Sequence, residues 1–110
     1  MLASFSVVPM GVTGGVKALV AEALKIVDES GLPYELGAMQ TILEGDEERV
    51  MEVILRCRRR MLELAPRVLT HITLDDRRGA TGRLAGKVRD VEEILGKPLR
   101  RPSQPVHKEK

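Results

Sequence analysis

Aromatic side chains are almost absent from the sequence, which contains one Phe, one Tyr and no Trp in 110 residues. This composition disfavours an RNA-recognition domain, because such domains stack bases on aromatic residues of a sheet. A single cysteine, Cys57, rules out an internal disulfide and every metal or redox motif that needs paired cysteines. The chain also has no asparagine, the residue that an acylphosphatase needs for catalysis. Together with the lack of a Ser/His/Asp or Cys/His arrangement, these absences favour a protein that is not an enzyme.

Long hydrophobic runs are absent as well, since no stretch approaches the about 20 apolar residues of a membrane-spanning helix. The first residues also lack the basic segment of a signal peptide. We therefore expect a cytoplasmic protein with no membrane partner. Apolar residues still make up 43% of the chain, which is enough to form the core of one domain.

Positive charge is concentrated at the C-terminal end of the chain. Residues 97–110 contain five Lys or Arg and one Glu, a net charge of +4, whereas the whole chain carries only +2. Residues 1–96 therefore carry −2, and a slightly acidic domain does not favour nucleic acid as a partner. The basic segment also contains three prolines and few apolar residues. We predict a folded domain over residues 1–96 and a disordered basic tail over residues 97–110.

Hydrophobic periodicity divides the domain into strands and helices. Alternating and β-branched residues predict strands over residues 2–9, 34–39, 41–44 and 67–75. Apolar residues at helical spacing predict three helices, with cores near residues 16–27, 50–64 and 84–95. Gly45 and Asp46 followed by two glutamates predict the start of the second helix, and Gly37 with Gln40 predicts a bulge or tight bend between the second and third strands. Gly31, Pro66 and Gly96 follow the helices and are typical of positions where a helix ends.

The resulting order is β-α-β-β-α-β followed by one more helix, which is typical of the ferredoxin-like fold. We therefore predict an α+β domain with a four-stranded antiparallel sheet whose first and third strands are central. Two helices should cover one face of this sheet. The other face should then be open to water, to a ligand or to another subunit.

Short polar side chains mark the face that we expect to be open. Ser4 and Ser6 alternate with apolar residues on the first strand, and His71 and Thr73 do so on the fourth. Because successive side chains of a strand point to opposite faces, these four should lie together on neighbouring strands. They suit either a solvated surface or a small polar ligand held between subunits.

Other charged or polar groups have an ordinary structural explanation. Asp75 and Asp76 precede two arginines, which favours a strand-end turn with Asp–Arg pairing over a metal site. The arginines within residues 56–60 favour a solvated helix face over phosphate binding. Glycines at positions 11, 14 and 15 precede a helix but match neither a dinucleotide fingerprint nor a P-loop. We expect no cofactor and no metal.

Four segments together resemble the small thiamine-binding protein family of archaea and bacteria. They are FSVVPMG at residues 5–11, YEL at 34–36, MQTILEG at 39–45 and ITLDDRR at 72–78. The resemblance covers residues 2–95 and excludes the tail. It implies a ferredoxin-like protomer in a homo-oligomer, commonly a tetramer built from two dimers through the sheets. It also implies binding of thiamine or its hydroxymethylpyrimidine part, without known catalysis.

The resemblance also implies which residues would hold such a ligand. The matching positions are Ser6, Met39, Thr41 and Glu44. A hydroxyl and a carboxylate can both pair with the donors and acceptors of an aminopyrimidine. The positive charge of the thiazolium ring would face a carboxylate such as Glu44 or Glu35, and Tyr34 would offer its ring face. The loop at residues 13–17 departs from the family, because many relatives have a serine-rich segment there.

Two functions of different classes follow from these observations. The first is a non-catalytic small-molecule binding protein with its pocket on the sheet face or at a subunit interface. The second is a structural or regulatory homo-oligomer that takes no small ligand. A cryptic enzyme ranks third.

Overall fold

The computed structural model describes residues 1–79 and 81–99, and these form four strands and three helices. The strands are β1 (Leu2–Met10), β2 (Tyr34–Leu36), β3 (Thr41–Glu44) and β4 (Arg67–Asp75). The helices are α1 (Lys17–Glu29), α2 (Glu47–Leu64) and α3 (Arg83–Leu95). The order of elements predicted from the sequence is confirmed, including the additional C-terminal helix.

The strands form one antiparallel sheet in the order β2-β3-β1-β4, so the first and third strands are central, as predicted. β1 pairs with β4 along its whole length, from Leu2 to Met10. β3 pairs only with residues 2–5 of β1. The predicted ferredoxin-like α+β fold is confirmed, and the second half of β1 has a strand neighbour on one side only.

One face of the sheet packs against α1 and α2 to form the core. Side chains of β1 alternate, and Ala3, Phe5 and Val7 are the ones that point into this core. The apolar side chains of α2 that have no exposed surface are Val50, Ile54, Cys57 and Met61. Their spacing is that of one helix face, which explains why α2 forms as a helix here. Full burial of one such side chain contributes about 1.5–3 kcal/mol.

α2 begins at the position that the sequence predicts. Asp46 is its N-cap, and the side-chain oxygen accepts a hydrogen bond from the backbone N–H of Arg49 at 3.0 Å. Glu47 and Glu48 occupy the first turn, where negative charge interacts favourably with the helix dipole. The helix ends before Ala65, which is extended as residues that precede a proline commonly are.

β2 ends at Leu36, three residues earlier than predicted. The N–H of Gly37 donates to the carbonyl oxygen of Gln40 at 2.9 Å, and this bond closes a tight turn before β3. A Cβ at position 37 would lie 2.8 Å from the same oxygen, so the turn requires glycine. The predicted bend between the two strands is confirmed, but residues 37–39 belong to the turn rather than to the strand.

β1 continues through Pro9 to Met10, one residue beyond its predicted end. Past Phe5 this strand has β4 on one side and no strand on the other. A proline is tolerated there as it is on an edge strand, because one side of the backbone makes no ladder hydrogen bonds.

The open face carries the polar residues that the alternation predicts for it. Ser4 lies opposite Thr73 and Ser6 lies opposite His71 in the register of β1 and β4. Directly opposed residues of an antiparallel pair share a face, so these four side chains lie together.

α3 is held at one end of this open face. Glu44 of β3 and Asp75 of β4 flank Leu2 of β1 in the register, so these side chains point to the same face. Glu44 accepts hydrogen bonds from the first backbone N–H groups of α3, and Asp75 pairs with Lys87 of that helix at 2.5 Å. The predicted Asp–Arg pairing is therefore wrong for Asp75, because α3 brings a lysine to it.

Ala80 and residues 100–110 lie outside the described residues. The predicted disordered tail over residues 97–110 falls mostly there and stays a prediction. Of its first three residues, Leu99 donates its backbone N–H to Oε2 of Glu92 at 2.7 Å. Among the helices that the structure describes, none has the length and apolar character needed to cross a membrane.

The thiol of Cys57 provides a test of the packing between α1 and α2. It has no exposed surface, its Sγ donates to the carbonyl oxygen of Ala23 at 3.4 Å, and burial raises its pKa to about 11. Because the thiolate is the reactive form, we expect the native protein not to react with the disulfide reagent DTNB at about pH 8. Unfolding in guanidinium should release one reactive thiol. Rapid labelling of the native protein would show that the two helices do not enclose Cys57.

Candidate functional site

Two cavities flank β3, one at each end. The first lies beside Thr41, has a volume of about 180 Å³ and is called the hairpin cavity below. The second lies beside Glu44, has a volume of about 700 Å³ and is called the charged cleft. Thr41 pairs with Phe5 and Glu44 pairs with Leu2, so the two side chains point to opposite faces of the sheet. The cavities are therefore two separate sites.

The hairpin cavity exists because β3 is shorter than β1. Its walls come from β1, from α1 and from the connection between β2 and β3, namely residues 5–8, Val20, Ala23, Leu24 and residues 36–41. Within the part of the chain that the structure describes, no backbone hydrogen bond joins residues 6–10 of β1 to that connection. Main-chain donors and acceptors on this side of β1 are therefore available to a ligand.

Thr41 supplies a polar side chain to the wall of the hairpin cavity. It is 6% exposed and is the one buried polar residue among residues 1–79 and 81–99. None of those residues forms a hydrogen bond with its side chain. The hydroxyl oxygen is not among the fully buried side-chain atoms without a partner, so it keeps accessible surface beside the cavity. A ligand in this cavity could therefore form a hydrogen bond with it.

Ser6 and Met39 border the same cavity. Met39 lies in the turn between β2 and β3 and is 87% exposed, so it belongs to the rim. The side chain of Ser6 belongs to the open face of the sheet. Sequence reasoning did not select Gln40, whose Oε1 accepts a hydrogen bond from Oγ of Ser4 and ties the turn to β1. Only the register of the strands makes that contact apparent.

Tyr34 borders neither cavity. Its hydroxyl donates a hydrogen bond to Oδ1 of Asp28 at 2.9 Å, and this bond raises the pKa of the phenol above its usual value. The side chain therefore links β2 to α1. Of the five residues predicted to bind a ligand, three meet at the hairpin cavity: Ser6, Met39 and Thr41.

Glu44 lies in the charged cleft, where it caps α3. Its Oε2 accepts a hydrogen bond from Arg83 N at 2.6 Å, and its Oε1 accepts one from Leu84 N at 3.2 Å. The N-cap residue, Gly82, has no side chain that could bind these groups. A carboxylate is favourable there because the N-terminal end of a helix is positive. The role of Glu44 toward a ligand stays a prediction.

The rest of the charged cleft comes from the end of β4, the connection that follows it, the first turns of α3 and the start of β1. Its lining residues besides Glu44 are Met1, Leu2, residues 75–78, Arg83 and Lys87. Sequence reasoning missed this cluster, since α3 must fold back onto the end of β4 to bring the basic residues together. In the sequence, the adjacent residues Arg77 and Arg78 were the feature that could have indicated this cluster.

Three other features singled out by the sequence contribute to neither cavity. Arg60 of the arginine-rich helix pairs with Glu22 of α1 at 3.1 Å and with Glu63 at 2.8 Å, so it joins two helices. The glycine loop at residues 11–15 borders neither cavity. His71 has no metal-ligating cluster around it, and no group of three such side chains occurs in residues 1–79 and 81–99.

Comparison with known proteins identifies the family. A family model described as thiamine-binding protein matches residues 3–92. The chain belongs to the thiamine-binding protein family. Within it, the chain is 42% identical to UPF0045 protein Mb1933 of Mycobacterium bovis over 99 residues, which cover 89% of this chain and 97% of that protein. It is 31% identical to UPF0045 protein YqgV of Bacillus subtilis over 105 residues, which cover 86% and 96% of the two chains.

Solved structures share the fold. The hypothetical protein MJ1052 of Methanocaldococcus jannaschii superposes with a TM-score of 0.77 at 25% identity, over 84% of this chain and 95% of that one. A Thermotoga maritima protein named for a proposed role in thiamine biosynthesis or salvage superposes with a TM-score of 0.71 at 25% identity, over 82% and 96%. The resemblance of the sequence to the thiamine-binding protein family is therefore confirmed, and the fold is shared with the solved structures.

Glu44→Gln tests the capping role of this carboxylate. The change keeps the shape of the side chain but removes the negative charge of the carboxylate, whose two oxygens accept hydrogen bonds from α3. We expect hydrogen exchange at the amides of Arg83 and Leu84 to become about fivefold faster, as for the loss of about 1 kcal/mol. Glu35→Gln, on β2, is the control and should leave both amides unchanged. Equal exchange in Glu44→Gln and in the unmodified protein would contradict the cap.

Proposed function

We propose that this protein binds thiamine or its hydroxymethylpyrimidine part without transforming it, and that the pyrimidine ring occupies the hairpin cavity. Membership of the thiamine-binding protein family supports the class of ligand. The observation that carries the location is the nearly buried side chain of Thr41, which lines this cavity and has no partner among the described residues.

The size and the walls of the hairpin cavity suit one aromatic ring. Its volume of about 180 Å³ compares with the about 150 Å³ of an apolar protein cavity that admits benzene. Val20, Ala23 and Leu24 of α1 provide apolar surface for the faces of a ring. The hydroxyl of Thr41 and the unpaired main chain of β1 can pair with the amino group and ring nitrogens of an aminopyrimidine.

The thiazolium ring of thiamine would extend beyond this cavity, past the rim at Met39. A thioether sulfur packs favourably against an aromatic ring, so Met39 is suited to that position. The permanent positive charge would stay in contact with water there, which avoids the cost of burying it. Binding of the pyrimidine part alone therefore accounts for most of the expected contacts.

Thr41→Val provides the direct test, because valine keeps the shape of threonine and removes the hydroxyl. Calorimetric titration should show that hydroxymethylpyrimidine binds this variant about fivefold more weakly, equivalent to one lost hydrogen bond of about 1 kcal/mol. The thiazole part alone should give no binding heat, since the proposed contacts are to the pyrimidine.

Thr70→Val is the matched control for this measurement. Thr70 lies opposite Val7 on the core-facing side of β4 and borders neither cavity, so the variant should keep the affinity of the unmodified protein. Full affinity in Thr41→Val, alongside measurable binding by the unmodified protein, would contradict the hairpin location. A loss confined to Glu44→Gln in the same series would place the ligand in the charged cleft instead.

The absence of catalysis is part of the proposal and has its own test. Thiamine incubated with the protein should be recovered unchanged by chromatography. Release of separate pyrimidine and thiazole products above the protein-free rate would contradict a purely binding role and favour an enzyme.

We also propose that the protein assembles into a homotetramer of two dimers. β4 is a nine-residue edge strand with one side unpaired in the described chain, and its Ile72 and Leu74 are 38% and 43% exposed. α3 exposes a second apolar set, consisting of Val91, Ile94 and Leu95. Two separate uncovered surfaces suit two different twofold contacts, which is the arrangement of a dimer of dimers.

Light scattering tests this assembly. The unmodified protein should have the mass of a tetramer at micromolar concentration, and Ile94→Glu should reduce it to a dimer. Leu62→Glu is the control, since Leu62 is 45% exposed on α2, an element that belongs to neither of the two surfaces. A monomeric unmodified protein would contradict the proposal. A tetramer that binds neither thiamine nor hydroxymethylpyrimidine would favour the alternative of a structural or regulatory module.

A further inference from the structure

The charged cleft is lined by more positive than negative groups. The positive ones are the four side chains of Arg77, Arg78, Arg83 and Lys87. The negative ones are the three carboxylates of Glu44, Asp75 and Asp76. Four positive and three negative side chains give a formal net charge of +1 around one cavity.

Most of the negative groups in the cleft are already bound. Glu44 accepts hydrogen bonds from two backbone N–H groups of α3, and Asp75 pairs with Lys87. Arg77 and Arg78 form no ion pair with any described residue. Two guanidinium groups of the cleft are therefore left without a carboxylate partner.

Arg83 adds a hydrogen-bond donor that nothing uses. Its Nη2 binds Oδ2 of Asp90 at 2.9 Å, but its Nε is buried and has no hydrogen-bond partner within the described residues. The guanidinium lies against Gly86, where a Cβ would be only 3.0 Å from Nη1. The missing side chain at this helix position leaves room for the guanidinium beside the cleft.

The excess positive charge acts on the neighbouring carboxylates. The hydrogen bond from Lys87 is the main reason why the pKa of Asp75 lies below its usual value, and the charges of Arg77 and Arg83 lower this pKa further. The hydrogen bond from Arg83 likewise lowers the pKa of Asp90, with smaller contributions from Arg89 and Arg77. Anionic oxygens near these arginines are thus stabilised.

We infer that the charged cleft is a second binding site, which takes a phosphorylated small molecule through Arg77, Arg78 and Arg83. The guanidinium group donates paired hydrogen bonds that match phosphate oxygens. The cleft volume of about 700 Å³ lies within the about 300–1,000 Å³ of small-molecule sites. Since this cleft and the hairpin cavity lie on opposite faces, the inference does not depend on the proposed function.

A cation would find a poorer site in this cleft. Divalent cations need several oxygen ligands at once. Glu44 and Asp75 already accept hydrogen bonds, which leaves Asp76 as the carboxylate without a described partner. The surrounding arginines would also repel a positive ion. The charge balance of the cleft therefore favours an anion.

Calorimetric titration of the full chain with pyrophosphate, inorganic phosphate and malonate, at constant ionic strength, tests this inference. Pyrophosphate should bind, inorganic phosphate should bind more weakly, and the dicarboxylate malonate should give no binding. Arg77→Ala combined with Arg78→Ala should weaken pyrophosphate binding about tenfold or more, because hydrogen bonds between charged groups are lost. Arg77→Lys with Arg78→Lys should give an intermediate affinity, since charge is kept and the paired donors are not.

Arg58→Ala combined with Arg59→Ala is the matched control, because it removes two adjacent exposed arginines of α2 and changes the net charge equally. This control should keep the affinity for pyrophosphate. An equal loss in both double variants would overturn the site in favour of non-specific attraction. Absence of pyrophosphate binding by the unmodified protein, or equally tight binding of malonate, would also overturn it. Unchanged hydroxymethylpyrimidine binding in the Arg77/Arg78 variant would confirm that the variant is folded and that the two sites are separate.

Discussion

The short β3 strand pairs with residues 2–5 of β1 and leaves the rest of that nine-residue strand without a neighbour on one side. A sheet interior normally satisfies every backbone donor and acceptor, so this mismatch creates an edge inside the domain. α1 and the Gly37–Gln40 turn close over that edge, and the hairpin cavity is the space between them. The proposed ligand would therefore replace part of a missing strand.

The other end of β3 determines where α3 lies. Glu44, the last residue of the strand, accepts hydrogen bonds from the first turn of the helix, and Asp75 of β4 pairs with Lys87. These contacts hold a helix whose outer residues, such as Ile94, are largely exposed. They also bring Arg83 beside the arginines of the β4–α3 connection, which gives the cleft its positive charge. One strand of four residues thus positions both candidate sites.

Much of the fold was predictable because burial acts on periodic patterns. The helical spacing of Val50, Ile54, Cys57 and Met61 predicts the buried face of α2, and Asp46 with the following glutamates predicts where the helix begins. Alternation on β1 and β4 predicts the open face that the register confirms for Ser4 and Ser6. The end of β2 was placed too late, since the contact between Gly37 and Gln40 that closes the turn is not visible in an alternating pattern.

The candidate sites were predictable only in part. Short motifs selected Ser6, Met39 and Thr41, which do share a cavity. They also selected Tyr34, which forms a hydrogen bond with Asp28, and Glu44, which accepts hydrogen bonds from α3. The sequence by itself determined the family, the order of elements and the polar face, because these depend on local composition and spacing. Only the tertiary structure decided which strand stops short of its neighbour and which helix covers which carboxylate. Those outcomes depend on contacts between residues as far apart as Glu44 and Arg83, and no local pattern encodes the partner of such a contact.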